Sequence, residues 1–182
     1  TNTGTGLRAS VMLHMPAISI TGHISGIMDA LRKIGLTIRG IYGEGTDAVG
    51  HLYQVSNQLT LGETEDEILE KLERVVHQLI RRERNTRLFL LDKKNLELQD
   101  RIYRALGVLS HARSISSREA MELISAIKLG SDLSVIEDYS GSELIKQMIA
   151  IKAGSIQNSY GRAMNREERD MLRAEMLREY FK

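Results

Sequence analysis

Thr3-Gly4-Thr5-Gly6-Leu7-Arg8 runs directly into Ala9-Ser10-Val11-Met12-Leu13-His14-Met15-Pro16, a glycine-rich turn joined to an alternating strand. From Arg8 to Met15, Val11, Leu13 and Met15 fall on one face and Ser10, Met12 and His14 on the other, the period of two expected of a half-buried strand. Pro16 ends it, having no N–H for a ladder. The glycines let backbone N–H groups approach an anion, and the Arg8 guanidinium can hold phosphate oxygens in a forked geometry. An ordinary turn beside a solvated arginine accounts for the same residues. Neither a dinucleotide fingerprint nor a P-loop is present, because no Lys-Ser/Thr pair follows the glycines.

Outward from this stretch, Ile24, Ile27, Met28 and Leu31 have the spacing of an amphipathic helix, with Gly35 as its stop signal. A second strand is predicted over 36–41, a glycine-rich loop over 40–50 and a third strand over 52–59. The charge then changes abruptly. Residues 1–62 hold seven charged side chains and 10 of the 15 glycines, whereas the other 120 residues hold the remaining 42 charged groups and five glycines. Thr64-Glu65-Asp66-Glu67 has the pattern of a capping box. It should open a long helix with Ile68, Leu69, Leu72, Val75, Val76, Leu79 and Ile80 as its buried stripe, followed by the basic run Arg81, Arg82, Arg84 and Arg87. Further helices are predicted at 96–109, 117–129, 142–152 and 166–180, with Ser116 and Asn165 as caps and Glu119 and Glu168 three positions on.

At 182 residues and 20.5 kDa, 42% hydrophobic and 27% charged, the chain can bury one good core and a second, smaller one. A formal charge of +1 gives no global basic field, so no direct nucleic-acid partner is expected. Without cysteine there is no disulfide framework, thiolate zinc site or cysteine nucleophile in these residues. No apolar run reaches the roughly 20 residues of a membrane span, and Thr1 to Gly6 lack the regions of a signal peptide, so a cytoplasmic protein is expected.

Arg39-Gly40-Ile41-Tyr42-Gly43-Glu44-Gly45 repeats the opening theme: an arginine at a strand end, then a glycine loop carrying a carboxylate. On neighbouring strands, Arg8 and Arg39 would grip one polyphosphate while Glu44 reached a cationic substrate group. A glycine-rich hairpin with a solvated Glu44 is the plainer alternative. His14, His23 and His51 have no visible partner in the sequence and are left out of the catalytic set.

Taken together, Asn2-Thr3-Gly4-Thr5-Gly6-Leu7-Arg8-Ala9-Ser10-Val11, Arg39-Gly40, Ala48-Val49-Gly50, Val55-Ser56-Asn57 and Leu61-Gly62 resemble, in order and spacing, the C-terminal half of the ATP:guanidino phosphotransferases. That family includes the creatine and arginine kinases, and the likeness covers residues 1 to about 85. Leu13-His14-Met15-Pro16, the 39–45 loop and the helical extension resemble most the bacterial protein-arginine kinase branch, with which the likeness continues to the C-terminus.

The resemblance implies an α+β fold: residues 1–85 as the antiparallel-sheet C-terminal half of a guanidino-kinase catalytic domain, and 86–182 as a helical regulatory and dimerisation domain. It implies transfer of the ATP γ-phosphoryl group to arginine side chains of proteins. Arg8, Ala9, Ser10, Val11 and Met12, with Arg39, Gly40, Ile41, Tyr42, Gly43 and Glu44, would form two nucleotide-contacting segments, and Glu44 would be the catalytic, substrate-binding acid. Mg2+ would come with ATP, held by its phosphates and water rather than by protein ligands. The implied partners are substrate proteins with accessible arginine, an activator protein, the Clp chaperone-protease system, a stress-response repressor and a second copy of the chain. The family's reactive cysteine would stand two positions before Thr1.

Arg169-Asp170-Met171-Leu172-Arg173-Ala174 sets two arginines one helical turn apart beside a carboxylate, a pattern suited either to a solvated helix face or to reading phosphoarginine from both ends. The resemblance favours an allosteric phosphoarginine site, with Leu172, Met176 and Leu177 as the apolar side of the helix. Two other readings stand beside the kinase: a noncatalytic phosphoarginine-binding and dimerisation module, and a kinase of free arginine, which the long helical extension disfavours.

Overall fold

The computed structural model describes residues 4–41 and 48–182. Among them are three strands and eight α-helices, an α+β fold, divided into two compact units, Thr1–Phe89 and Leu90–Lys182.

The first unit contains β1 (Ser10–His14), α1 (Pro16–Ile20), α2 (Ile24–Lys33), β2 (Leu36–Gly40), a 3-10 turn at Val49–His51, β3 (Leu52–Asn57) and most of α3 (Glu65–Lys93). The strands form one antiparallel sheet in the order β1-β3-β2. Val11, Val55 and Ile38 lie in one cross-strand row, as do Met12, Gln54 and Arg39. Alternation therefore sends Val11, Leu13, Tyr53, Val55, Leu36 and Ile38 to one face, in a core with Ile24, Ile27, Met28 and Leu31 of α2 and Leu72, Val75, Val76 and Leu79 of α3.

Three local expectations change. Pro16 ends β1 but also begins α1, since its fixed φ and missing N–H suit the first helical position. Leu69, expected in the buried stripe of α3, is 48% exposed: the stripe narrows to Ile68, Leu72, Val75, Val76 and Leu79, with Ile80 at its edge. The third strand stops at Asn57, whose side chain turns to hold the chain segment before β1.

The second unit is helical: α4 (Asn95–His111), α5 (Ser117–Asp132), α6 (Gly141–Ala150), α7 (Ala153–Tyr160) and α8 (Arg166–Tyr180). Ser116 and Asn165 cap α5 and α8 through the Glu119 and Glu168 N–H groups, and Glu168 returns the bond to the Asn165 N–H. Gly130 allows close packing of α5, because a Cβ there would lie 2.8 Å from an Ile102 methyl of α4. α7 lies outside the predicted helices: Ala153-Gly154-Ser155 gives little helical signal, but Ile156 is fully buried and anchors it. No helix among the described residues is long and apolar enough to cross a membrane.

Candidate functional site

The face of the sheet turned away from the core carries Ser10 and Met12 of β1, Gln54 and the buried Ser56 and Leu52 of β3, and Thr37 and Arg39 of β2. Ser10, Met12 and Arg39 are exposed. Gln54 is half-buried, and its Nε2 donates to Ser10 Oγ at 3.0 Å, tying the middle strand to β1. Arg8, two residues ahead of Ser10, continues the same alternation and is also exposed. Arg8 and Arg39 are thus not on neighbouring strands. β3 lies between them, and because Arg39 shares its row with Gln54 and Met12, Arg8 stands four residues further along: two inter-strand steps of about 5 Å each and roughly 13 Å along the strand separate their backbones. The pair suits an extended polyphosphate lying across the sheet better than a single phosphate.

The backbone on either side of Arg8 is held by one buried amide. Asn57 accepts from the Ala9 N–H through Oδ1 and donates through Nδ2 to the Leu7 carbonyl, both at 2.9 Å. The two glycines before Arg8 have different duties. Gly4 has φ 119°, and a Cβ there would strike the Thr60 carbonyl, so its lack of a side chain is used in packing against the 60–61 backbone. Gly6 has φ 71° with open space where a Cβ would stand, leaving its backbone approachable. Ala9 and Val11 are half-buried, as are Gly40 and Ile41; the Ile41 N–H donates to the Leu52 carbonyl at 2.9 Å. Tyr42, Gly43 and Glu44 lie outside the described residues.

His23 and His51 are engaged by nearby hydroxyls. His23 Nδ1 lies 2.8 Å from Thr21 Oγ1, and His51 Nδ1 lies 3.1 Å from Ser19 Oγ, itself 2.9 Å from the hydroxyl of the buried Tyr53. His51 has φ 55°, uncommon for a residue with a side chain, and its carbonyl accepts from the Met15 N–H at 2.9 Å.

In the second unit the Arg169–Ala174 segment is not a solvated face. Arg173 is only 1% exposed; its Nε donates to the Ile151 carbonyl at 2.7 Å, and its Nη1 to the Ile115 carbonyl at 2.8 Å and to Asp170 Oδ1 at 2.5 Å. Arg169 is half-buried and donates to the Met164 carbonyl at 2.6 Å. Asp170 is half-buried and also pairs with Arg166 at 3.8 Å. Ala174 and Leu177 are buried, Leu172 and Met176 half-buried, and Met171 exposed. The accessible groups are those of Arg166, Arg169 and Asp170, and Arg173 forms the floor beneath them.

Two family models divide the chain between them. Residues 1–86 match the ATP:guanido phosphotransferase, C-terminal catalytic domain, and residues 95–182 match the protein-arginine kinase McsB C-terminal domain. The chain belongs to the ATP:guanido phosphotransferase family. It is similar to the protein-arginine kinases of Halothermothrix orenii (48% identical, covering 98% of this chain and 51% of the relative), Halalkalibacterium halodurans (46%, 100% and 51%) and Bacillus subtilis (46%, 98% and 49%). The chain spans about half the length of the curated relatives it matches.

Two residues of the sheet unit carry little signal in the sequence: Asn57 is legible only as part of a motif, and nothing local marks Gln54. The period of two sets Gln54 on the same face as Ser56, but its placement between Met12 and Arg39 depends on β3 being the middle strand, which no local pattern encodes.

Proposed function

We propose that this chain is the C-terminal part of a protein-arginine kinase, which transfers the γ-phosphoryl group of ATP to arginine side chains of proteins. The observation that carries the reading is the open sheet face on which Arg8 and Arg39 flank Ser10 and Gln54, in a chain whose closely similar relatives are named protein-arginine kinases. The face suits a nucleotide polyphosphate: two exposed guanidiniums, an open glycine backbone at Gly6 and no apolar side chain but Met12 among the exposed residues.

An arginine guanidinium is a poor nucleophile, being protonated and delocalised at neutral pH. The reaction therefore needs a carboxylate to orient it and accept its proton, and cations to neutralise the phosphoryl oxygens during in-line transfer. In this reading Arg8 and Arg39 provide the cations, the Ser10–Gln54 bond ties the strand that follows Arg8 to the middle of the sheet, and Glu44 provides the carboxylate. Mg2+ enters with ATP on its phosphates and water.

The reading extends to regulation and setting. Phosphoarginine would be read at Arg169–Ala174, its phosphoryl group by Arg169 and Arg166 and its guanidinium by Asp170, above the buried Arg173. The protein would act in the cytoplasm as a homodimer, with an activator protein, a stress-response repressor and other accessible proteins as partners, marking substrates for Clp proteolysis.

The test is the formation of acid-labile phosphoarginine on a protein substrate with Mg-ATP, by this chain alone and within a chain of its relatives' length. Turnover by the longer form supports the kinase. No turnover by either, with phosphoarginine binding retained, selects the binding module, and preference for free arginine selects a small-guanidine kinase. Arg8→Ala is expected to weaken Mg-ATP binding about tenfold or more, the loss of one or two charged hydrogen bonds; unchanged affinity would remove Arg8 from the site.

A further inference from the structure

The basic run of α3 does not behave as one solvated face. Arg81, Arg82 and Arg84 are exposed, whereas Arg87 turns inward, its Nε donating to Glu83 Oε1 at 2.7 Å and its Nη2 to the His14 carbonyl at 3.4 Å. Glu83 is 4% exposed, and both of its oxygens are used. Oε1 also accepts from the Ala17 N–H at 3.0 Å, and Oε2 accepts from the Ile18 N–H at 3.0 Å. A carboxylate so far from water is costly unless its lone pairs are satisfied, and here a cation and two backbone donors satisfy them.

Those two donors belong to the first turn of α1. Five residues are too few to hold a helix unaided, and the cap position, Met15, offers no side-chain bond. A carboxylate from α3, more than 60 positions away in sequence, does what a local cap would otherwise do. The Arg87 bond to His14 then fixes the last residue of β1, so both sides of the β1–α1 corner are tied to α3. At its other end β1 leads back to Ser10, Ala9 and Arg8.

We propose that Glu83, oriented by Arg87, is a positioning residue of the nucleotide site: it clamps the β1–α1 corner to α3 and so sets the strand that presents Arg8 to Met12. It touches neither nucleotide nor substrate and acts through β1. The proposal rests on the kinase reading for what β1 binds, while the clamp itself can be measured without any activity.

The experiment compares Glu83→Gln, Arg87→Ala and Arg87→Lys with the unmodified protein in an ATP-binding form. Each is followed by thermal unfolding, amide hydrogen exchange, Mg-ATP affinity and the separate KM values for ATP and the arginine substrate. Glu83→Gln keeps the shape but replaces one acceptor with a donor facing an N–H. It is expected to speed exchange across residues 10–18 and to weaken Mg-ATP by roughly tenfold, leaving the KM for the arginine substrate unchanged. Arg87→Lys keeps a cation beside the carboxylate and its two backbone bonds, providing a milder variant if Glu83→Gln fails to fold, and it should retain most of the wild-type behaviour. Arg87→Ala strands the buried carboxylate without a cation and should shift the same quantities at least as far.

Wild-type Mg-ATP affinity in a folded Glu83→Gln or Arg87→Ala protein would overturn the proposal. So would an equal loss in Ile68→Val at matched thermal stability, because general softening would then explain the effect. Failure of the unmodified protein to bind Mg-ATP would instead overturn the kinase reading, and the proposal with it, in the first arm of the experiment.

Discussion

Asn57 is the residue on which the presentation of Arg8 depends. A side-chain amide has an acceptor and a donor on opposite corners, and here they meet the Ala9 N–H and the Leu7 carbonyl, one on each side of the arginine. Asn57→Ala would leave both backbone groups without this partner in a site where Asn57 is only 7% exposed, at a cost of about 1–3 kcal/mol. It should also weaken Mg-ATP binding, by letting the Arg8 backbone drift. Asn57→Asp separates the two effects, since it keeps the acceptor for Ala9 and loses the donor to Leu7. Denaturant unfolding and nucleotide titration of both variants test this, and full ATP affinity in a folded Asn57→Ala protein would contradict it. The arginines and glycines of this region were legible in the sequence because each carries its chemistry locally. Asn57 was legible only as a motif member, since its partners lie some 50 positions earlier in the chain.

The elements show the same division between local and distant causes. The Thr64–Glu67 and Asn165–Glu168 boxes form as their spacing predicts, because every bond closes within three residues. α1 carries no local signal because its cap comes from Glu83, and nothing in the basic run sets Arg87 apart because only the fold brings it to His14. The α8 cap also has a pH dependence. The Asn165 N–H, and next the Arg162 side chain, hold the Glu168 carboxyl below its ordinary value of 4.5. The native state therefore binds fewer protons than the unfolded chain in acid, so this contribution is complete above the ordinary carboxylate range and fades as pH falls through the lowered value. Amide exchange in the first turn of α8 should accelerate across that window, and Glu168→Gln should flatten the dependence. A first turn insensitive to acid in the unmodified protein would show that the box contributes nothing.

At the scale of the whole molecule, each unit has its own core and its own buried arginine or acid. In the helical unit that group is Arg173, whose guanidinium joins Ile115, Ile151 and Asp170. Arg173→Ala would leave two carbonyls without this donor and the half-buried Asp170 with only its longer contact to Arg166, and should cost on the order of 3 kcal/mol. Exchange should rise in α4 to α8, with β1 to β3 keeping their protection. A sensor of phosphoarginine is therefore better probed with Arg169→Ala, which should blunt phosphoarginine stimulation with less loss of fold; undiminished stimulation would remove Arg169 from the sensor. The sequence revealed the Arg-Asp-x-x-Arg pattern but not that its second arginine is interior, because burial of a guanidinium depends on carbonyls from two distant turns. In the other unit, the proposed nucleotide platform is the sheet face between Arg8 and Arg39. Its most direct measurement is amide hydrogen exchange with and without Mg-ATP, in a form that carries the complete catalytic domain. Exchange is expected to slow at residues 6–12 and 39–41, an effect lost in Arg8→Ala; unchanged exchange in those segments while Mg-ATP protects others would contradict the platform.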